Sequence, residues 1–261
     1  MLLLYINLLF VNQKTMTIDI CLSPALYSFY DTDPQTTVVI VDIFRASTTI
    51  CAAMDAGSKA IIPVKSIEEA QEYKAKGLLA GAERNVARCD FADFGNSPFE
   101  YTALKVNGKE IAFTTTNGTQ ALKIAENADT IVIGAFTNLK VVTDYCVHKN
   151  QNVMVLCAGW NNKVNLEDTL FGGALIESLL LEKDFTLTGD ASLMALSLWQ
   201  EAKVDLKSYL STSEHFDRLI KHGLEKDIDF CLKMNGSDAL PVYEKTTQKL
   251  LNYNLLLWNR N

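Results

Sequence analysis

A carboxylate, a guanidinium and a set of hydroxyls stand together at Asp42, Arg45, Ser47, Thr48 and Thr49, just after the apolar run TVVIVDI at 37–43. A carboxylate at a strand exit can face a cation. An arginine and hydroxyls at the following helix start can face an anion. Similar residues follow other strand-like runs: Glu83 and Arg84 in GAER, Asn96 and Ser97 in DFGNSP, and Thr115, Thr116, Asn117, Gly118 and Thr119 in TTTNGT. Cys157 and Gly159 follow the run at 152–157, and Glu167 and Asp168 open a helical pattern. An Asn-Gly pair followed by a hydroxyl at a helix start presents free backbone N–H groups to an oxyanion. Together these residues suit a metal ion and a phosphate-like anion held side by side.

Each residue also has a plainer explanation. Asp42 could cap its helix or pair with Arg45. Glu83 and Arg84 could be a surface ion pair, and Glu167 and Asp168 could simply complement a helix dipole. His215 and His222 lie seven residues apart on one helix face and could be ordinary surface residues, while His148 reads as structural. The common phosphate and nucleotide signatures are absent. There is no G-x-x-x-x-G-K-[ST] and no G-x-G-x-x-G. Asp42 is followed by Ile43-Phe44 rather than a second Asp two positions on, and Lys163 stands where a C-x5-R loop from Cys157 would need arginine.

The elements that must position these residues alternate. Periodicity predicts strands at 37–43, 60–64, 78–82, 110–114, 130–134 and 152–157. Helices are predicted at 45–56, from the Ser66/Glu69 capping box to about 76, and at 118–126, 138–148 and 166–182. From 191 to 250 helical patterns dominate, around 193–202, 213–222 and 226–234, with a short extended piece at 239–243. The expected class is α/β, a mixed or largely parallel sheet flanked by helices with a helix-rich C-terminal third. The expected organisation is an extension at 1–15 outside the fold, a catalytic unit at 16–250, as one body or two closely packed lobes, and a tail at 251–261.

The chain of 261 residues is 48% hydrophobic and 21% charged, an ordinary globular balance. Its net charge of −7 argues against nucleic acid or an anionic membrane as main partner, though not against a small anionic substrate. The apolar run at 1–11 is too short for a membrane span and lacks the basic flank of a signal peptide. The six cysteines show no CxxC spacing, as expected of reduced thiols in a cytoplasmic protein.

Taken in order, VDIFRASTTI, GAER, FGNSPFEY, TTNGTQAL, CAG and EDTLFGG resemble the motif series of the 2-phosphosulfolactate phosphatase family, over about 18–243. The stretch from Ser213 and His215 to Pro241-Val242 resembles the family's C-terminal part. Ser47 stands where Thr is usual, and GAER where a shorter turn is commoner. The resemblance implies an α/β, Mg²⁺-dependent hydrolase that removes phosphate from 2-phospho-3-sulfolactate in coenzyme M biosynthesis. On that basis Asp42, with Glu83, Glu167 or Asp168, is expected to hold the metal, directly or through water. Arg45 and Arg84 are expected to clamp phosphate or sulfonate. Ser47–Thr49, Asn96, Ser97, Thr115–Thr119, Cys157 and Gly159 are the expected substrate-binding set. The expected nucleophile is activated water, with His215 protonating the leaving alkoxide. A homo-oligomer is left open. The alternatives are a phosphatase acting on another small phosphorylated hydroxy acid, and a non-catalytic anion-binding protein.

Overall fold

The structure, a computed structural model, describes residues 15–253 apart from 31, 32, 85, 116 and 183. Residues 1–14 of the expected extension, Thr116 and residues 254–261 therefore lie outside the described residues. The fold begins with a strand that the sequence periodicity did not assign, β1 (Met16–Cys21), whose alternating burial places Ile18 and Ile20 in the core. Next comes β2 (Thr36–Val41), buried at every position, as its unbroken β-branched run predicts. It feeds α1 (Ala46–Asp55), a helix buried on most sides. The strand β3 (Ala60–Pro63) leads to α2 (Ile67–Ala75). Ser66 Oγ accepts the Glu69 N–H of that helix at 3.1 Å, and the Glu69 carboxylate reaches back to the Lys65 N–H at 2.8 Å. Strands β4 (Leu79–Arg84) and β5 (Ala87–Arg88) form a short antiparallel pair, followed by α3 (Ala103–Val106), β6 (Glu110–Thr114) and α4 (Gly118–Ile124).

The second part alternates similarly through β7 (Thr130–Gly134), α5 (Leu139–Lys149), β8 (Asn152–Cys157) and α6 (Leu166–Leu181). A three-residue edge strand, β9 (Phe185–Leu187), precedes α7 (Asp190–Ala202), α8 (Leu206–Leu210), α9 (Glu214–Lys221) and α10 (Glu225–Cys231). The chain then closes with the hairpin β10 (Pro241–Glu244) and β11 (Lys249–Asn252). The hairpin corrects the expected tail boundary. Leu250 is buried opposite Ile61, and pairing with β10 carries the folded unit to Asn252.

All these strands form one sheet in the order β5-β4-β6-β3-β11-β10-β7-β2-β8-β1-β9. Two parallel blocks, β4-β6-β3 and β7-β2-β8-β1-β9, are joined by the antiparallel hairpin. Successive antiparallel pairings make the blocks run in opposite senses. Their carboxyl ends meet because the sheet curls. A methyl group built on Gly118, after β6, would stand 3.6 Å from an oxygen of Asp42, after β2. In a flat sheet the five strand steps between β6 and β2 would span roughly 24 Å. The curl brings two strand exits from opposite blocks into one site. Among the described residues no helix is long and apolar enough to cross a membrane.

Candidate active site

The exits of β2, β4 and β6 open into a cleft of about 260 Å³. Asp42, Arg45, Glu83, Arg84, Asn96, Thr115, Asn117 and His215 line it, all of them expected from sequence. Trp160, Asn161 and Arg218 also line it, and these the sequence did not single out.

The turn from β2 into α1 is held from within. Ser47 Oγ accepts the Asp42 N–H at 2.9 Å, and the Ser47 N–H returns to the Asp42 carbonyl at 2.9 Å. Thr49 Oγ1 donates to the Asn96 carbonyl at 3.0 Å, and Thr48 is fully buried. The hydroxyls expected to meet the substrate are instead turned inward. They satisfy backbone groups that a buried helix start would otherwise leave unpaired. Ser97 is likewise committed, with its Oγ donating to Asp227 at 2.9 Å.

Arg45 is buried and does not pair with Asp42. Its Nη1 donates to Asp227 at 2.6 Å, and its Nη2 is paired with Glu83. Glu83 therefore meets Arg45 rather than Arg84, which is exposed at the rim. Burial pushes the Glu83 carboxyl up, and Arg45 and Arg218 counter this.

The first turn of α6 brings Glu167 and Asp168 into the protein, at 0% and 1% exposure. That is far more burial than complementing a helix dipole requires. Asp168 accepts the Ile43 N–H at 2.9 Å and the Gly159 N–H at 3.0 Å, one on each oxygen. It clamps the loops after β2 and β8 together. Gly159 serves this loop, because its φ is +60° and a Cβ there would stand 2.2 Å from the Lys163 carbonyl. Glu167 Oε1 meets His215 Nδ1 at 2.6 Å, while its Oε2 is buried without a hydrogen-bond partner among the described residues. Asn165 Nδ2 also lies 3.5 Å from His215 Nδ1. The two contacts ask opposite roles of that nitrogen, and the short one to Glu167 makes it the donor. The edge of Phe44 against the imidazole, at 5.7 Å between centroids, fixes the ring further.

Burial pushes the Asp42 carboxyl up to about 6, with His215 holding it down and Glu167 raising it further. Asp42 thus sits beside a second carboxylate and an imidazole in a site that disfavours bare negative charge, as a buried site for a cation would.

Thr115 and Asn117 reach the cleft, but Thr119 Oγ1 donates to the Val64 carbonyl at 3.3 Å. Gly118 and Thr119 border instead a small apolar cavity between the two strand blocks. Cys157 is fully buried and does not line the cleft, and burial with nearby carboxylates pushes its thiol well up. A thiol held protonated is a poor nucleophile. Cys157→Ser is therefore expected to keep most activity, and a fall of several orders of magnitude with folding intact would identify this thiol as a nucleophile. Cys89 is the only cysteine not buried among the described residues, so a thiol reagent should label one site in the native protein and six in denaturant.

Arg218 carried a signal in the sequence, since it lies three residues after His215 and helical spacing puts both on one face. In α9 that is what happens: Phe216 packs inward, while His215 and Arg218 border the cleft beside the buried Leu219. Asp227 lies in the C-terminal stretch that resembles the family, but nothing in the sequence gave its role, because its partners Arg45 and Ser97 are 182 and 130 residues away.

The profile of the 2-phosphosulpholactate phosphatase family matches residues 21–246. A probable 2-phosphosulfolactate phosphatase of Thermotoga petrophila is 37% identical over 195 residues, covering 75% of this chain and 83% of the relative. One of Carboxydothermus hydrogenoformans, with the same description, is 38% identical over 206 residues, covering 78% and 84%. Another, of Clostridium botulinum, is 30% identical over 233 residues, covering 88% and 97%.

Proposed function

This chain belongs to the 2-phosphosulfolactate phosphatase family of phosphoric monoester hydrolases, and we propose that it releases phosphate from 2-phospho-3-sulfolactate in a Mg²⁺-assisted reaction, leaving 3-sulfolactate. The observation that carries this reading is the cleft itself. There a buried carboxylate, Asp42, borders the same space as three guanidinium groups, with Glu167 and its unpartnered oxygen close by. Such a site matches a substrate that is anionic at both ends and reacts at a phosphate.

Among the described residues no three of His, Cys, Asp and Glu form a ready metal-binding group. Mg²⁺ is commonly held by one or two carboxylates, several waters and the substrate phosphate rather than by an all-protein cage. Asp42 and Glu167 fit best as its ligands. Both oxygens of Asp168 accept backbone N–H groups, and Glu83 is paired with Arg45. Bound there, the ion would neutralise phosphate charge and help ionise a water.

This chain's own residues supply the rest. Phosphoryl transfer depends mainly on positioning and charge neutralisation. Thr115, Asn117 and Asn96 border the cleft and offer it hydrogen bonds. Glu167 holds His215 with Nδ1 as donor, which leaves Nε2 to exchange a proton with the leaving alkoxide. The coenzyme M route, where 3-sulfolactate is an intermediate, is the setting this activity would serve.

Hydrolysis of 2-phospho-3-sulfolactate should require Mg²⁺ and cease in EDTA, with recovery when Mg²⁺ is restored. Unchanged turnover in EDTA would rule out the metal-assisted reading. Preference for another phosphorylated hydroxy acid in a substrate panel would replace the substrate.

A further inference from the structure

Resting on that phosphatase reading, we propose that Arg218 is the specificity-determining residue that recognises the substrate's non-reacting sulfonate. Arg45, the arginine of the β2 exit, is already neutralised, with one terminal nitrogen on Asp227 and the other on Glu83. Arg84 stands exposed at the rim. Arg218 is the partly buried guanidinium of the cleft that forms no ion pair among the described residues. Its Nε is buried and has no hydrogen-bond partner among them. A buried donor without an acceptor is costly unless a ligand supplies one.

The mounting of Arg218 supports the same assignment. Its Cζ lies 4.5 Å from the centroid of the Trp160 ring, so the indole covers one side of the guanidinium. A guanidinium held over an indole in this way can still offer its planar fork of N–H groups to two oxygens of a tetrahedral anion. A sulfonate is a single negative charge at any working pH and needs neither a metal nor a proton donor. The phosphate has other needs, met by the carboxylates and His215. Trp160, His215 and Arg218 also line a neighbouring cavity, so Arg218 stands where the cleft meets that cavity.

The competing role for Arg218 is charge balance, since Glu83, Glu167 and Asp42 all act on it electrostatically. The two roles separate with a pair of substrates, 2-phospho-3-sulfolactate and 2-phospholactate, the same ester without the sulfonate. Loss of the guanidinium in Arg218→Gln should reduce the preference for the sulfonated ester, as a ratio of kcat/KM, by roughly 10- to 150-fold, mostly through KM. Arg218→Lys, which keeps the charge but not the planar fork, should fall between that variant and wild type. An equal loss on both esters, which leaves the ratio unchanged, would overturn the proposal in favour of charge balance or of binding the phosphate or carboxylate that both esters carry, and so would no loss on either. Calorimetry with 3-sulfolactate and lactate supplies a readout that needs no turnover. If the wild type hydrolyses neither ester, the phosphatase reading fails. Sulfonate-dependent binding that is lost in Arg218→Gln would still uphold the role of Arg218, and its absence from wild type would overturn that role too.

Discussion

Asp42→Asn is expected to lower kcat/KM by about a thousandfold, close to 4 kcal/mol of transition-state stabilisation, with part of the loss recovered at high Mg²⁺. The substitution keeps the side chain's size and leaves intact the backbone hydrogen bond that Asp42 donates to Ser47. What it removes is a negative charge beside Glu167, in a position where burial already disfavours that charge. Stability should therefore hold or rise while activity collapses, the trade-off expected of a group buried for function. The checks are a Mg²⁺ titration of steady-state rates and a thermal melt. Wild-type turnover would show that this strand exit is not the site. A fall in both activity and melting temperature would point to a structural role for Asp42.

Arg45→Met is expected to lower stability by about 3–5 kcal/mol, because it leaves Asp227 and Glu83 without their partner in a largely buried setting. For a domain of this size that is a fall in melting temperature of roughly 6–20 °C. Arg45→Lys should recover part of this, since an ammonium can meet one carboxylate but does not span two as the fork does. The sequence expectation for Arg45 was different: a clamp on the substrate anion, whose replacement would weaken substrate binding. Measuring both melting temperature and KM in the two variants decides between the roles. A stable Arg45→Met protein with a high KM would make Arg45 a substrate ligand first.

The contrast between Asp42 and Arg45 shows what could be read without coordinates. They are three positions apart in one segment, and both border the cleft as their place after an apolar strand implies. Strands at 110–114, 130–134 and 152–157 were legible to the residue, because each is an apolar run bounded by turn residues. The strands β1, β9 and β11 were not. They are an alternating segment, a three-residue edge segment and a short late segment, and their strand character comes from their neighbours in the sheet.

Sequence alone determined the α/β class, the polar strand exits and, through the motif resemblance, the kind of chemistry. These are properties of contiguous residues, where local periodicity and spacing act directly. Tertiary structure decided which side chains at those exits are available. It turned Ser47, Thr48 and Thr49 inward, tied Arg45 to Asp227, set Asp168 to clamp two loops and withdrew Cys157. It also brought in Trp160 and Arg218, and it curled the sheet so that the exits of β2 and β6 meet. The physical reason is that a buried polar group left without a partner is costly, so most of them are paired. Those partners come from segments far apart in the chain, so only the packed fold shows which groups are used up and which remain to face a substrate.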